Sequence, residues 1–328
     1  METKLKDLGH EVIFLKRNKK NTSASVISIL KTIIKRLLKY GFKEAIRQIK
    51  TFNEFKRLQS DFIEIKNNKE YFYDIEYFVL GSDTIWNLDS KYFEENYKIY
   101  FGGIFEDKKV ITYAASVGNT KLEKIESVKD IPEMLEKLEK ISVRDEETFK
   151  VVEMLSSQTP QLVCDPTLLL NKKEYSNIEK EPREKEKYIF LYLFSKLSKK
   201  HQEQLRNFAD KNDLKIISGI DYMECIDKKI VNAPNTFLNY MMYAEYVITD
   251  TFHGTIFSIN LQKNFLVIDR NKKKVADAMK RFDLNEKIIN ENADIEKAFT
   301  KKVDYDLVMS KLENFRKESE KFLKENLK

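Results

Sequence analysis

The 328-residue chain has few side chains suited to metal binding or redox chemistry. It contains only two cysteines, Cys164 and Cys225, and three histidines, His10, His201 and His253. Their spacing fits no zinc site, so we predict that the protein binds no metal. So few cysteines are also more typical of a reducing compartment than of a secreted, disulfide-bonded protein.

Long apolar runs and dense basic blocks are absent too. No stretch approaches the roughly 20 apolar residues that span a bilayer, and the first residues lack the apolar segment of a signal peptide. These features predict a cytoplasmic protein. The 59 Lys and Arg residues exceed the 53 Asp and Glu residues by only six, and both kinds are mixed along the chain. This pattern does not favour nucleic-acid binding.

Short apolar strands alternate with helical patterns in both halves of the chain. This alternation predicts the α/β class with parallel sheets. The length indicates two domains, and the almost wholly polar run 171–187 is the best boundary between them. We therefore predict domains over residues 1–172 and 173–302, followed by a C-terminal helix over 303–328.

Residues 246–258 give the clearest indication of a functional site. A short β-branched strand leads into Asp250 and Thr251, which are good helix caps, and then into an apolar helix. Gly254 allows close backbone approach. His253 should therefore lie where a strand ends and a helix begins, a position that favours ligands and anions. The alternative is a histidine satisfied within an ordinary strand–helix turn.

Three more strands should end in polar or small residues. Asp83 follows a Gly-Ser pair after a strand, and could cap a helix, bind a ligand or act as an acid or base. Ser116 closes a run of small residues. Arg144 precedes a helix, where a cation needs a partner because the helix N-terminus is positive. That partner is either Asp145 or an anionic ligand.

An apolar stripe at helical spacing runs through residues 24–40, with lysines and an arginine around it. The stripe fits a helix lying on a membrane surface, or a helix packed on its own domain. The second interpretation is favoured because such stripes are the norm in water-soluble domains.

Taken in order, six segments resemble the polysaccharide pyruvyl transferase family. They are Leu-Gly-His-Glu-Val at 8–12, Gly-Ser-Asp-Thr-Ile-Trp-Asn at 81–87, Tyr-Ala-Ala-Ser at 113–116, Ile-Ser-Val-Arg-Asp-Glu-Glu at 141–147, Asp-Pro-Thr-Leu-Leu-Leu at 165–170 and Ile-Thr-Asp-Thr-Phe-His-Gly-Thr-Ile-Phe-Ser at 248–258.

The resemblance implies a fold and a reaction. The fold would be two Rossmann-like domains facing a cleft, as in GT-B glycosyltransferases. The reaction would transfer pyruvate from phosphoenolpyruvate to a sugar of a surface or capsular polysaccharide, as a ketal and without a cofactor. The acceptor would be a lipid-linked or nucleotide-linked saccharide at the inner membrane face.

The chain departs from the family pattern in two places. Family members begin with a strand and a loop that precede the first helix, whereas here a helix ending at Gly9 leads directly into a strand predicted over 10–15. The N-terminal domain is thus expected to lack its first strand. Many members also carry arginine where this chain has Thr251, a form that resembles a branch encoded in capsule gene clusters.

The resemblance assigns roles to particular residues. His253 would protonate the donor or bind its phosphate, Arg144 would bind phosphate or carboxylate as a fork, and Asp83 would act as a base or contact the sugar. Arg144 and His253 would lie on opposite walls of the cleft. The expected substrate-binding residues are Gly81, Ser82, Ser116, Asp250, Thr251, Phe252, Gly254 and Thr255.

Two alternatives remain open from the sequence. A GT-B glycosyltransferase that uses a nucleotide sugar would need the same phosphate-binding strand–helix turn. A non-catalytic member of a polysaccharide-assembly complex would fit the expected loss of the first strand.

Overall fold

A computed structural model describes residues 1–17, 42–58, 62–65, 74–105, 107–219, 223–231 and 233–328. The helix predicted over residues 24–40 lies outside them. The chain divides into two compact units. Unit 1 comprises Met1–Val12, Asn68–Asn171 and Asp306–Lys328, and unit 2 comprises Ile13–Asn67 and Lys172–Tyr305.

This division differs from the predicted domains in the segment 13–67, and it joins the predicted C-terminal helix to unit 1. The segment 13–67 belongs to unit 2, where Arg47 donates hydrogen bonds to the carbonyl oxygens of Gly219 and Ile230. The C-terminal helix belongs to unit 1, where buried Arg316 donates to the carbonyl oxygen of Leu168. Both contacts join residues about 150 or more positions apart, which local patterns do not reveal.

The described strands and helices follow each other along the chain. The strands are β1 Leu15–Arg17, β2 Ile63–Ile65, β3 Tyr77–Leu80, β4 Lys109–Thr112, β5 Ser142–Val143, β6 Gln161–Leu162, β7 Tyr188–Tyr192, β8 Lys215–Ser218, β9 Lys228–Lys229, β10 Tyr246–Thr249, β11 Asn264–Ile268 and β12 Ile288–Ile289. The α-helices are α1 Glu2–Asp7, α2 Phe42–Leu58, α3 Lys91–Glu94, α4 Tyr97–Tyr100, α5 Leu122–Glu126, α6 Ile131–Lys137, α7 Glu146–Leu155, α8 Lys172–Ile178, α9 Lys199–Lys211, α10 Pro234–Tyr243, α11 Phe252–Asn260, α12 Lys273–Arg281, α13 Ile295–Thr300 and α14 Tyr305–Asn326.

Unit 1 contains parallel strands whose carboxyl ends share one edge. β3 pairs in parallel with β4, and β5 pairs in parallel with β6. Single parallel bridges, Ile111 to Lys140 and Ala115 to Val143, connect the β4 segment to the β5 segment. Residues just after the four strands therefore emerge side by side, which is the usual position of ligands in open α/β sheets.

Unit 2 is built on a six-stranded parallel sheet of Rossmann order. From one edge to the other the strands run β9-β8-β7-β10-β11-β12. This corresponds to the 3-2-1-4-5-6 order, in which chain direction across the sheet reverses between the first and fourth strands. β7 and β10 are fully buried apart from their first or last residues, as expected for strands covered by helices on both faces. The predicted α/β class with parallel sheets is confirmed.

The start of the chain differs from the strand predicted over residues 10–15. The strand begins only at Leu15 and pairs in parallel with β2, from Leu15 opposite Ile63 to Arg17 opposite Ile65. Ile13 and Phe14 are exposed. The available partner strand, and not the apolar pattern alone, sets where β1 begins.

Lys263 gives unit 2 a defined dependence of stability on pH. Its ammonium donates hydrogen bonds to the carbonyl oxygens of Met242 and Ala244, and burial lowers the pKa of Lys263 to about 8. An unfolded lysine titrates near about 10.4. Between these two pH values the unfolded chain binds a proton that the folded chain has lost, so stability should rise with pH.

We therefore expect the unfolding free energy of the wild type to gain about 3 kcal/mol, relative to Lys263→Met, as pH rises from about 8 to about 10.4. Urea unfolding across that range measures the difference. Lys280→Met, at an exposed lysine, serves as the control and should show no comparable gain. A Lys263→Met difference that is flat with pH would contradict the assignment.

Candidate functional site

The turn that carries His253 is built by hydrogen bonds among its own residues. β10 ends at Thr249 and α11 begins at Phe252, with Thr251 as its N-cap. The Thr251 hydroxyl accepts from Gly254 N at 2.9 Å, and its carbonyl accepts from the Thr255 hydroxyl at 2.8 Å. Thr251, Gly254 and Thr255 are buried. Three of the predicted substrate-binding residues thus form the turn itself.

Gly254 is required by the fold of this turn. A Cβ atom there would lie 2.0 Å from the Thr249 hydroxyl oxygen, far inside van der Waals contact. The Thr249 hydroxyl in turn donates to the carbonyl of Tyr192 at 2.8 Å, so it cannot move away without losing that bond. The close approach that glycine was predicted to allow is to the side chain of Thr249, the last residue of β10, which leads into this turn.

Asp250 joins the loops that follow β7 and β10. Its side chain is fully buried, and its two carboxylate oxygens accept from Phe194 N at 2.8 Å and Ser195 N at 3.0 Å. Arg270 and Lys272, which follow β11, each approach the carboxylate to 4.0 Å. Asp250 was predicted to bind substrate. In the structure its carboxylate connects the loops after β7 and β10 through hydrogen bonds.

A cavity of about 300 Å³ opens beside Asp250. Arg270 and Lys272 line it, together with Asn271 and the first residues of α12. Arg270 donates to the carbonyl of Lys196 at 2.8 Å and to the Glu291 carboxylate at 3.2 Å, while Lys272 donates to the carbonyl of Asp250 at 2.7 Å. The sequence pattern did not single out these cations, although Arg270 lies just two residues after the end of β11.

His253 and Phe252 remain partly accessible at this edge of the sheet. Their rings meet edge to face, with centroids 5.6 Å apart, and Lys274 Nζ lies 6.0 Å from the Phe252 centroid. The edge thus combines an imidazole at a helix N-terminus with cationic side chains. Such a combination can bind an anion and transfer a proton.

In unit 1, Arg144 lies between two carboxylates. It donates to Asp165 at 2.8 Å and to Asp83 at 3.0 Å. The Arg144 and Asp165 side chains are 2% and 1% exposed, whereas Asp83 is 54% exposed. Burial disfavours the guanidinium charge, but the two carboxylates outweigh that effect and raise the pKa of Arg144 above its ordinary value.

These contacts revise the partner predicted for Arg144. Asp145 instead caps α7, accepting from Thr148 N at 2.9 Å. Asp165 pairs with Arg144 and also shapes its own loop by accepting from Thr167 N at 3.0 Å. The guanidinium fork is directed at protein carboxylates, so Arg144 is placed to position Asp83.

The remaining predicted residues of unit 1 surround Asp83. Gly81 has a φ of 142°, and a Cβ atom there would lie 2.0 Å from the Tyr113 carbonyl oxygen, so the close approach again involves the protein itself. The peptide bond from Gly81 to Ser82 is cis. Ser116 is buried, and its hydroxyl accepts from Gly118 N at 3.1 Å. Gly81 and Asp83 are exposed, and Ser82 is half-buried.

The described part of the chain also lacks two kinds of feature. Within it, no group of three or more His, Cys, Asp or Glu side chains could hold a metal ion. None of its helices is long and apolar enough to cross a membrane.

Removing Arg144 should destabilise unit 1 strongly. Arg144→Met leaves the Asp165 carboxylate buried without its charged partner, which typically costs about 3–5 kcal/mol of unfolding free energy. Chemical denaturation measures this loss. Lys137→Met, which breaks the exposed pair with Glu133, is the matched control and should cost about 0–1 kcal/mol. Equal losses in the two variants would show that the Arg144 pairs contribute little.

Comparisons with solved structures find distant neighbours. A UDP-GlcNAc 2-epimerase from Neisseria meningitidis bound to UDP-GlcNAc is 11% identical, with a TM-score of 0.48, covering 99% of this chain and 94% of that one. Another UDP-N-acetylglucosamine 2-epimerase is 11% identical with a TM-score of 0.47, covering 83% and 72%. The glycotransferase of kitacinnamycin is 12% identical with a TM-score of 0.41, covering 99% and 94%.

Sequence comparison identifies the family. Among curated proteins no sequence matches significantly. A family model described as polysaccharide pyruvyl transferase matches residues 1–272, which include both carboxyl edges described above. The chain therefore belongs to the polysaccharide pyruvyl transferase family, a family of transferases.

Proposed function

We propose that this protein transfers the pyruvate unit of phosphoenolpyruvate to a saccharide as a ketal, and that the donor binds at the carboxyl edge of the unit 2 sheet. The observation that carries the proposal is the position of His253. It stands at the capped N-terminus of α11, at the point where strand order reverses in a Rossmann-type sheet. Ligands of open α/β sheets bind at such points.

The chemistry of the donor explains why a cationic edge is needed. Phosphoenolpyruvate carries a phosphate and a carboxylate. One sugar hydroxyl adds to the carbon that bears the phosphate, the methylene carbon gains a proton to become a methyl group, and phosphate leaves. A second hydroxyl then closes the ketal. Of the two hydroxyl protons, one replaces the proton given to the methyl carbon and the other is carried by the released phosphate. The site must bind two anionic groups and supply one proton.

Residues of unit 2 can meet these needs. The N-terminus of α11 favours an anion, and the His253 imidazole can bind the phosphate or give the proton. Thr251 caps the helix at the position where many family members have arginine. We assign the positive charge for the donor to Arg270 and Lys272 instead, because they line the cavity beside Asp250.

We assign the saccharide to the carboxyl edge of unit 1. The exposed Asp83 carboxylate is held by Arg144, whose charge is fixed in turn by buried Asp165. A carboxylate fixed in this way can accept a hydrogen bond from a sugar hydroxyl and take its proton. Arg144 is then a positioning residue. The acceptor would be a lipid-linked or nucleotide-linked saccharide on the cytoplasmic side, where phosphoenolpyruvate is made.

The His253→Ala variant tests the donor assignment. We expect turnover to fall by roughly 10²–10⁴-fold, because the general acid or phosphate ligand is lost. The assay measures phosphate released from phosphoenolpyruvate and pyruvylated sugar formed, with lipid-linked and nucleotide-linked saccharides as acceptors. His10→Ala, a histidine of unit 1 outside both edges, is the control. Near-normal turnover of His253→Ala would refute the assignment, and release of a nucleotide from a nucleotide sugar would favour a glycosyltransferase.

The Asp83→Asn variant tests the acceptor assignment separately. It keeps the shape of the side chain but removes the base, so kcat/KM for the saccharide should fall by about 10²-fold or more. Asp89→Asn, at another exposed aspartate with a lysine partner, should retain activity. Unfolding of both variants should be similar to that of the wild type. If Asp83→Asn changes stability alone, the carboxylate is structural.

A further inference from the structure

Helix α2 presents a broad outward stripe that combines exposed apolar side chains with basic ones. Phe42 and Phe52 are 70% and 60% exposed, and Ile46 is exposed as well. Lys50, Lys56 and Arg57 are also exposed. By the 3.6-residue period, residues 42, 46, 50, 52, 56 and 57 fall within one arc of about 160° around the helix, with Phe42 near its centre.

The other side of α2 is fixed to the unit 2 sheet. Arg47, about 140° around the helix from Phe42 by that period, donates to the carbonyl oxygens of Gly219 at 2.5 Å and Ile230 at 2.7 Å. Gly219 follows β8 directly and Ile230 follows β9 directly. Helix α2 is therefore attached to the carboxyl edge of the sheet and turns its aromatic and basic stripe outward.

His253 emerges at the same edge. In the strand order β9-β8-β7-β10, β8 is two strands and β9 three strands from β10. At about 4.8 Å between neighbouring strands, the ends to which α2 is attached lie roughly 10–15 Å from the end that leads to His253. A surface that binds the stripe of α2 would be close to the proposed donor site.

The composition of the stripe selects one kind of partner. Exposed phenylalanines are unfavourable in water, and lysines and arginine among them exclude a purely apolar partner. Aromatic rings that enter the headgroup boundary, with basic groups at lipid phosphates, are typical of helices that lie on anionic bilayers. Glu54 does not oppose this pattern, because its carboxylate lies 3.9 Å from Arg57 Nε.

We propose that α2 docks the protein on the surface of an anionic lipid bilayer through Phe42, Ile46, Lys50, Phe52, Lys56 and Arg57. Docking would hold the carboxyl edge of the unit 2 sheet at the membrane. This proposal rests on the proposed function in one respect only, namely that docking would give the protein access to a lipid-linked saccharide. The binding itself stands on the exposed side chains and on the Arg47 attachment.

Vesicle sedimentation of the full chain tests the proposal. We expect binding to phosphatidylcholine vesicles that contain phosphatidylglycerol, and much weaker binding to phosphatidylcholine alone. Each basic residue near an anionic surface strengthens partitioning about 5-fold. The triple variant Lys50→Glu, Lys56→Glu, Arg57→Glu should therefore bind anionic vesicles at least about 100-fold more weakly.

A matched triple variant controls for net charge. Lys199→Glu, Lys280→Glu and Lys297→Glu reverse three exposed lysines elsewhere on unit 2. Each triple changes the formal net charge by 3 × (−2) = −6, from +6 to zero. The α2 triple should lose binding, and the control triple should keep most of it. Equal losses would mean that only overall charge matters, which would overturn the proposal.

The aromatic residues need a separate variant. Phe42→Ser with Phe52→Ser should weaken binding about 10-fold or more, and the loss should persist at high salt because it is apolar. Sedimentation velocity of the same variant tests the alternative that α2 contacts a second copy of the chain. If the wild type forms an oligomer that this variant dissociates while vesicle binding is unchanged, α2 is a contact between copies of the chain and the proposal is wrong.

Transfer to a water-soluble saccharide separates this proposal from the proposed function. The α2 triple variant should retain that activity, since none of its residues belongs to either carboxyl edge. If neither the wild type nor any variant releases phosphate, the proposed function fails, but the vesicle result still tests the docking proposal. If the wild type releases phosphate and does not bind anionic vesicles, the docking proposal fails alone.

Discussion

The candidate donor site depends on the hydrogen bonds and charges that compensate the buried carboxylate of Asp250. A carboxylate without water is costly unless hydrogen bonds and charges compensate for the lost hydration. Here two backbone N–H groups of the loop after β7 bond to it, and two cations from the loop after β11 lie 4.0 Å away. One side chain thus sets the mutual position of three loops where strand order reverses. The position of His253, in the turn after β10, depends on that arrangement.

Unit 1 also contains a buried charged group that is compensated by its neighbours, but here the buried group is a cation and its partners are carboxylates. The buried group is the Arg144 guanidinium, and buried Asp165 and exposed Asp83 provide the compensation. Because Arg144 cannot leave this pairing without leaving the buried Asp165 carboxylate unpaired, the Asp83 carboxylate has a fixed position at the edge of the sheet. In both units a buried ionic group is structural and a neighbouring accessible group is available for chemistry.

Local sequence patterns were sufficient for the strand–turn–helix unit at residues 246–258. Its strand, N-cap and helix are all determined by neighbouring residues, and the α/β class follows from repeating such units. The partner of Arg144 shows where local reasoning ends. Adjacent Asp145 was one candidate, but the observed partners lie 21 and 61 positions away. Only the register of the parallel strands brings them together.

The same limit explains the other differences. Ser116, Thr251 and Thr255 are residue types that bind ligands, yet each uses its hydroxyl within its own turn, which composition cannot reveal. Arg270 and Lys272 follow β11, but their significance depends on the Asp250 carboxylate, which follows the adjacent strand β10. The placement of segment 13–67 in unit 2 depends on contacts such as Arg47 with Gly219, 172 positions apart.

Calorimetric titration of the full chain with phosphoenolpyruvate tests the central claim most directly, because it requires no knowledge of the acceptor. If the carboxyl edge of the unit 2 sheet is the donor site, the wild type should bind phosphoenolpyruvate, more weakly as salt increases. The His253→Ala variant should bind it less tightly, and uridine diphosphate should not displace it. Binding of uridine diphosphate without any binding of phosphoenolpyruvate would contradict the account.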